Sequence, residues 1–234
     1  MGVKKPVNYT FSGIKSWVND LESYVDSNLA NGILDDNGND IGHRVVVIAG
    51  HGYVSSISNT VVDLSTYVLA HLIANKIYNG PINYELNGVT LLETISLEQA
   101  NALVGKRITP LYNKPGYTKV PVILVGRTAS AADNPLTKMS SIFVLNEYVN
   151  GLREIADRYL GQPNSGTVRM SMQSTMQNFT NSMRAAGKIA GGTVTVTPDT
   201  AGGAINAVKV DAKIQAYAEI EVITISVEFE YQVG

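Results

Sequence analysis

The chain has 234 residues and no cysteine. Disulfides, thiolate metal sites and cysteine nucleophiles are therefore excluded together. Charge is also scarce. Asp, Glu, Lys and Arg make up 16% of the sequence, against about a quarter in an average globular protein. The balance of 18 basic and 20 acidic residues leaves neither a basic nucleic-acid footprint nor an acidic tail. Low charge combined with 44% hydrophobic residues fits a protein that hides much of its surface in an assembly. No apolar run approaches the roughly 18 residues of a membrane span. The opening Met1-Gly2-Val3-Lys4-Lys5-Pro6 has no apolar stretch behind its lysines and so lacks a leader pattern. Neither nucleic acid nor membrane is expected as a partner. A chain of this length buries roughly 70% of its surface on folding, enough for a core without staples.

Signatures of catalysis are missing as well. His43, His51 and His71 show no i, i+4 pair and no HExxH, so a zinc site is not expected. There is no G-x-S-x-G elbow. A triad drawn from His51, Asp63 and Ser55, Ser56 or Ser58 has no specificity, because triads are defined by geometry and not by nearness in sequence. The acidic run from Asp35 to Asp40 is not a calcium loop. With Gly38 at the sixth position, Ile33 and Arg44 would occupy the first and twelfth, where ligands are needed. The nearest approach to a cofactor motif is the loop from Gly50 to Ser55. Its Gly50-x-Gly52 resembles the start of a dinucleotide fingerprint, but Ser55 stands where the third glycine belongs, and no Walker lysine follows. The ordinary reading is a turn at the end of a strand. No catalytic residue, metal or cofactor is assigned.

What is present is patterning. Ile14, Trp17, Val18, Leu21, Tyr24, Val25 and Leu29 share one face of a helix over residues 12–31. The unbroken run Val45-Val46-Val47-Ile48 predicts a buried parallel strand within residues 43–50. A loop over 50–60 then leads to a helix over 61–78, with Leu64, Val68, Leu72 and Ile77 near one face. Residues 84–93 read as a strand or hairpin arm broken at Gly88. Ser96-Leu97-Glu98-Gln99 is a capping box that opens a short helix ending near Gly105. Strands follow over 108–112 and 118–127, joined by a Pro115-Gly116 turn. Residues 128–137 form a loop. A long helix over 140–160 carries Ile142, Leu145, Val149, Leu152, Ala156 and Tyr159 on one face. A second, over 167–186, carries Val168, Met172, Met176, Phe179 and Met183, read as a core stripe. The remainder alternates as β-structure over 193–197, 208–214 and 223–231. The expected fold is an α/β core, a mixed sheet flanked by helices, with a C-terminal α+β portion ending in long antiparallel strands. It divides into an N-terminal arm (1–11), a core (12–127) and a C-terminal portion (128–234).

The order of several phrases resembles the contractile tail sheath proteins of bacteriophages and related injection systems. Ser96 to Leu103 resembles the short helix before the family's core strand, and Ile108-Thr109-Pro110-Leu111 takes the place of that strand. Val122 to Thr128 is similar to a "v-w-G-x-R-T" phrase, with Arg127 and Thr128 matching and the spacing shorter by one. A long helix with Arg153 and Arg158 follows, then Gly161-Gln162-Pro163-Asn164 in place of "y-v-f-e-p-N". Phe179 to Gly187 resembles the family's "f-L-x-x-l-x-x-x-G-a" helix end. Ala207 to Ile214 and Ala218 to Val227 resemble its closing strand pair, Ala218-Glu219-Ile220 standing for "a-E-x-I". The likeness runs over about residues 40–230, and its specificity lies in the order. Most sheath proteins are longer, with extra outer domains, so this would be a minimal member. They also begin with a longer arm than the Val3–Phe11 stretch here.

The resemblance implies a structural subunit without enzymatic activity. Copies would stack as rings into a helical sheath around an inner tail tube, bounded by baseplate and tail terminator proteins. The sheath would contract by rigid-body rearrangement to drive injection. Assembly in the host cytoplasm and residence in the virion tail go with that role. Neighbours would exchange strands. The expected donor carries Ile220, Val222, Ile223, Ile225, Val227, Phe229 and Tyr231, and a weaker one carries Val3 and Val7. Pairing of the last strand within its own chain stays open. Arg153, Arg158, Arg169 and Arg184 on the two long helices are candidates to face the tube, with ordinary solvated charge as their plainer reading. Two rivals remain: a nucleotide- or cofactor-binding α/β enzyme using Gly50 to Ser55, and a ring-forming terminator or baseplate protein.

Overall fold

The computed structural model describes residues 2–55, 58–74, 81, 84–114, 120–131, 135–199 and 206–217. Helix α1 (Phe11–Asn28) starts where the Thr10 hydroxyl accepts the Gly13 amide, and it buries Ile14, Trp17, Val18 and Val25. The β-branched run then enters strand β1 (Val47–Ala49), which pairs in parallel with β6 (Ile108–Asn113), Val47 opposite Ile108. β7 (Pro121–Ile123) and β4 (Tyr84–Glu85) continue that sheet antiparallel, in the order β1-β6-β7-β4. The pleat sends alternate side chains to opposite faces. Val47, Ala49, Ile108, Tyr112 and Val122 pack with α1 and with α3 (Leu97–Gly105). Ile48, Leu111 and Ile123 pack on the other side, with Val68 and Leu72 of α2 (Ser65–Ala74) and with Leu86 and Leu91. The capping box at α3 forms as expected: the Ser96 hydroxyl accepts the Gln99 amide, and the Gln99 side chain accepts the Ser96 amide.

The loop expected over 50–60 is not a loop. His51 to Val54 form β2, which lies between β3 (Ser58–Asp63) and β5 (Val89–Leu91) in a second, antiparallel sheet. Both glycines of the fingerprint-like pair have packing reasons. A Cβ on Gly50 would sit 2.6 Å from the Leu111 side chain, and one on Gly52 would sit 2.1 Å from the Thr90 carbonyl oxygen. Gly50 and Gly52 admit close neighbours, and this strand offers no phosphate cradle. Residues 61–63 belong to β3 and do not open the helix. The Asp63 carboxylate accepts the Ser65 amide at 2.7 Å, so α2 begins after it. The last strand of the core is also shorter than expected. Beyond Ile123 the Leu124 amide still reaches the Pro110 carbonyl at 3.4 Å, and at Arg127 the Thr109 hydroxyl binds the amide and carbonyl in place of a backbone partner.

The second half is a helix pair backed by a ribbon. α4 (Met139–Asp157) and α5 (Gly166–Ala185) pack with β8 (Gly191–Asp199) and β9 (Ala207–Gln215) around Val144, Tyr148, Ile155, Met172, Met176, Met183, Ile189, Val194 and Val196. The methionine stripe is core. On α4 the fully buried line is Val144, Tyr148 and Ile155, while Ile142, Leu145 and Val149 are half-buried. Gly151 explains the rotation: a Cβ there would lie 2.3 Å from the Phe179 ring, so α5 presses onto that face. β8 and β9 pair antiparallel from Gly191↔Gln215 to Asp199↔Ala207. The Pro115-Gly116 turn, Ile77 and the strand expected over 223–231 lie outside the described residues.

Candidate functional site

The amino-terminal segment is held by backbone acceptors. Gly2 bridges to Ile48 in parallel, beside β1. The indole Nε1 of Trp17 donates to the Lys4 carbonyl at 2.6 Å, and the Nε2 of His51 bonds the Val3 carbonyl at 2.9 Å. The other ring nitrogen of His51 lies 2.6 Å from Oε1 of Glu93, whose Oε2 accepts the His51 amide at 2.8 Å. Both side chains are buried, Glu93 to 2% exposure. A carbonyl and a carboxylate only accept, so both imidazole nitrogens must donate, which is the charged form. Burial opposes that charge. The Glu93 hydrogen bond, the charges of Glu93 and Asp63 and the Val3 carbonyl outweigh it, and the His51 pKa is raised. Trp17 meets the His51 ring edge-on, with centroids 6.2 Å apart. The Tyr9 phenol is pushed up by burial, then by Glu93 and Tyr53. His51 bonds Glu93 and the Val3 carbonyl and no serine hydroxyl among the described contacts; Ser56 and the Ser58 side chain lie outside the described residues. Ser55 instead donates to the Gly88 carbonyl. Sequence reading missed Glu93, whose isolated acid among Leu91, Leu92 and Ile95 was the available signal.

Between this segment and α1 lies an apolar cavity of about 620 Å³ that reaches Val25, Val47 and Ile108. Val3 is half-buried, whereas Val7 is 97% exposed.

The ribbon is the second feature. Its two edges differ. The amides of Val194 and Val196 in β8 point away from β9 and donate to the side-chain oxygens of Gln177 and Gln173 of α5, each at 3.0 Å. The Gln177 amide nitrogen donates to the Gly192 carbonyl at 3.1 Å. No strand among the described residues pairs with the far side of β9. Of the four arginines singled out from sequence, Arg153 and Arg184 are exposed, and Arg158 pairs with Glu154 one turn away at 2.9 Å. Arg169 turns back onto the α4–α5 connection, donating to the Asn164 carbonyl at 2.9 Å and its side-chain oxygen at 2.7 Å. Ile220 to Tyr231 lie outside the described residues.

The described residues thus form a two-sheet α/β core and a helix-backed β-ribbon, one edge of which has no strand partner among them. That fold is the one found in sheath proteins of contractile injection systems. A sheath complex of an extracellular contractile injection system, PVC, in the contracted state superposes with a TM-score of 0.71 at 12% identity, over 96% of this chain and 62% of that one. A chain of the anti-feeding prophage baseplate matches with a TM-score of 0.70 at 14% identity, over 93% of this chain and 66% of that one. The contracted helical sheath of the same prophage gives 0.68 at 16% identity, over 91% and 66%. The chain therefore spans slightly less than two thirds of these neighbours' length. No protein-family model matches the sequence, and no curated protein does.

Proposed function

We propose that this chain is a structural subunit of a contractile tail sheath. The observation that supports the reading best is the coverage of the superpositions. More than nine tenths of the chain follows sheath-complex chains, the ribbon half included. Copies stack into a helical tube around an inner tail tube, between a baseplate and a tail terminator, and contraction is a rigid-body rearrangement between two packings. The strand expected over 220–231, with Val222, Ile225 and Phe229 among its alternating residues, is lent to a neighbouring copy. The segment carrying Val3 and Val7 acts as a weaker tether. A contact of this head-to-tail kind does not close on itself, which gives a helix. The exposed Arg153, Arg158 and Arg184 are the better candidates for the tube-facing side; Arg169 is engaged in holding its own loop. The subunit carries no enzymatic activity, and its place is the tail of an extracellular particle.

Negative-stain electron microscopy across protein concentration, with and without a co-expressed tube protein, tests this. Hollow tubes with a regular repeat are expected. A second reading, a baseplate ring, draws on the baseplate neighbour. It predicts closed rings of fixed size under every condition, and that result would replace the sheath reading.

A further inference from the structure

A two-stranded ribbon offers two edges to an incoming strand, and either can template pairing. In an antiparallel pair successive residues direct their N–H and C=O groups alternately to the partner and away from it. The glutamine bonds fix the phase in β8: Val194 and Val196 face outward, and by the same alternation so do Gly192 and Pro198. Proline has no N–H to give. Of these four positions, two have amides already bound to α5 and one has none. The Gly192 carbonyl is bound as well. Across the ladder the outward positions of β9 are Val208, Val210, Ala212 and Ile214, each an ordinary residue with a donor and an acceptor.

We infer that Gln173, Gln177 and Pro198 close the β8 edge, so that a strand from a second copy of this chain can join the ribbon only along β9. This deepens the assembly reading above and rests on it for the identity of the occupant. The physical basis is a comparison of exchanges. A strand arriving at β8 must break three side-chain bonds and finds no donor at Pro198. A strand arriving at β9 meets no such side-chain bond at the outward positions among the described residues. One closed edge also prevents β8 from pairing with β8 of another copy. Such a two-fold contact would end in a closed dimer where a helix requires open-ended growth.

The test uses the full chain with Gln173→Met, Gln177→Met and Pro198→Thr. These changes keep side-chain volume, free two amides and restore a third. Amide hydrogen exchange by NMR reads the edges separately. In the parent, Val194 and Val196 are expected to be protected in the dispersed protein, and assembly is expected to slow exchange at Val208, Val210, Ala212 and Ile214. In the triple variant, dispersed Val194 and Val196 should exchange at least tenfold faster, and concentration-dependent association should now slow them. Unchanged exchange of Val47 and Ile108 establishes that the variant is folded, and Gln177→Met alone should expose Val194 and leave Val196 protected. If the folded triple variant shows no association beyond the parent's, or associates along β9 as the parent does, the inference is overturned. A parent that stays monomeric counts against the sheath reading alone. New association of the triple variant along β8 would then still uphold the closed edge.

Discussion

His51 carries a donor on each ring nitrogen, and the Val3 carbonyl and Glu93 carboxylate receive them. Its folded pKa lies above the ordinary 6.5. A raised folded pKa contributes stability that is fully present below the unfolded value and is lost as pH rises through the folded one. The attachment of residues 2–9 should therefore loosen on the alkaline side. Trp17 is the only tryptophan and touches the ring, so its emission reports the change. Emission should titrate on the alkaline side of an ordinary histidine, and His51→Gln should abolish the titration; a flat profile in the parent would sink the assignment. His51→Ala should cost about 3–5 kcal/mol in urea unfolding, because Glu93 is left as a buried charge without its partner. Gly52→Ala should destabilise by about 1–3 kcal/mol, since the added methyl meets the backbone of β5 and no flexible side chain can yield. An unchanged midpoint would mean that β2 and β5 can separate freely at that point.

At the scale of elements, the second half depends on how α5 is sandwiched. Met176 is 1% exposed between α4 and the ribbon. Met176→Ala should cost about 2–5 kcal/mol by thermal or urea unfolding, the range for emptying a buried large side chain. A loss below about 1 kcal/mol would show that the helices and ribbon collapse around the gap. Elements governed by local chemistry were legible in the sequence. The Ser96 capping box, the methionine stripe and the parallel strand announced by Val45 to Ile48 all follow from spacing within a few residues. Elements governed by distant neighbours were not. Residues 51–54 look like a glycine loop because the reason for Gly52, the backbone of Thr90, is far away in the chain. The fully buried line of α4 lies about one residue step, roughly 100° at 3.6 residues per turn, from the face the pattern marks, although Leu152, Ala156 and Tyr159 still pack against the core, because Gly151 counts for nothing in a hydrophobic pattern and yet sets the approach of Phe179. The pairing of His51 with Glu93 spans 42 residues and leaves no periodic trace.

At the scale of the whole molecule, the proposed sheath depends on the segment that follows β9 in the sequence. Deleting residues 222–234 should abolish tube formation in electron micrographs while leaving the circular dichroism and unfolding midpoint of the remaining chain close to those of the parent. An unfolded truncation would instead place the segment in its own subunit's core, and β9 would then be covered from within. The three hydrophobic clusters bear on this outcome. Two lie on opposite faces of the four-stranded sheet, and the third is built from α4, α5 and the ribbon, all among residues 139–215. The ribbon therefore already has a core behind it before any further strand is added.

The sequence by itself determined what depends on composition and short-range order. It excluded thiol chemistry, and it set the starts of α1, α3, α4 and α5, the alternation of the ribbon strands and the serial arrangement of an α/β core before an α+β portion. These are consequences of local propensity and of which faces must leave water. Tertiary structure alone decided which edge of the ribbon is bound by side chains. Gln173 and Gln177 read as ordinary polar helix residues until the fold lays β8 beside them. Pro198 reads as a strand breaker until its register places it on the outer edge. Hydrogen bonding to a backbone edge depends on position and direction across the fold, and a linear pattern records neither.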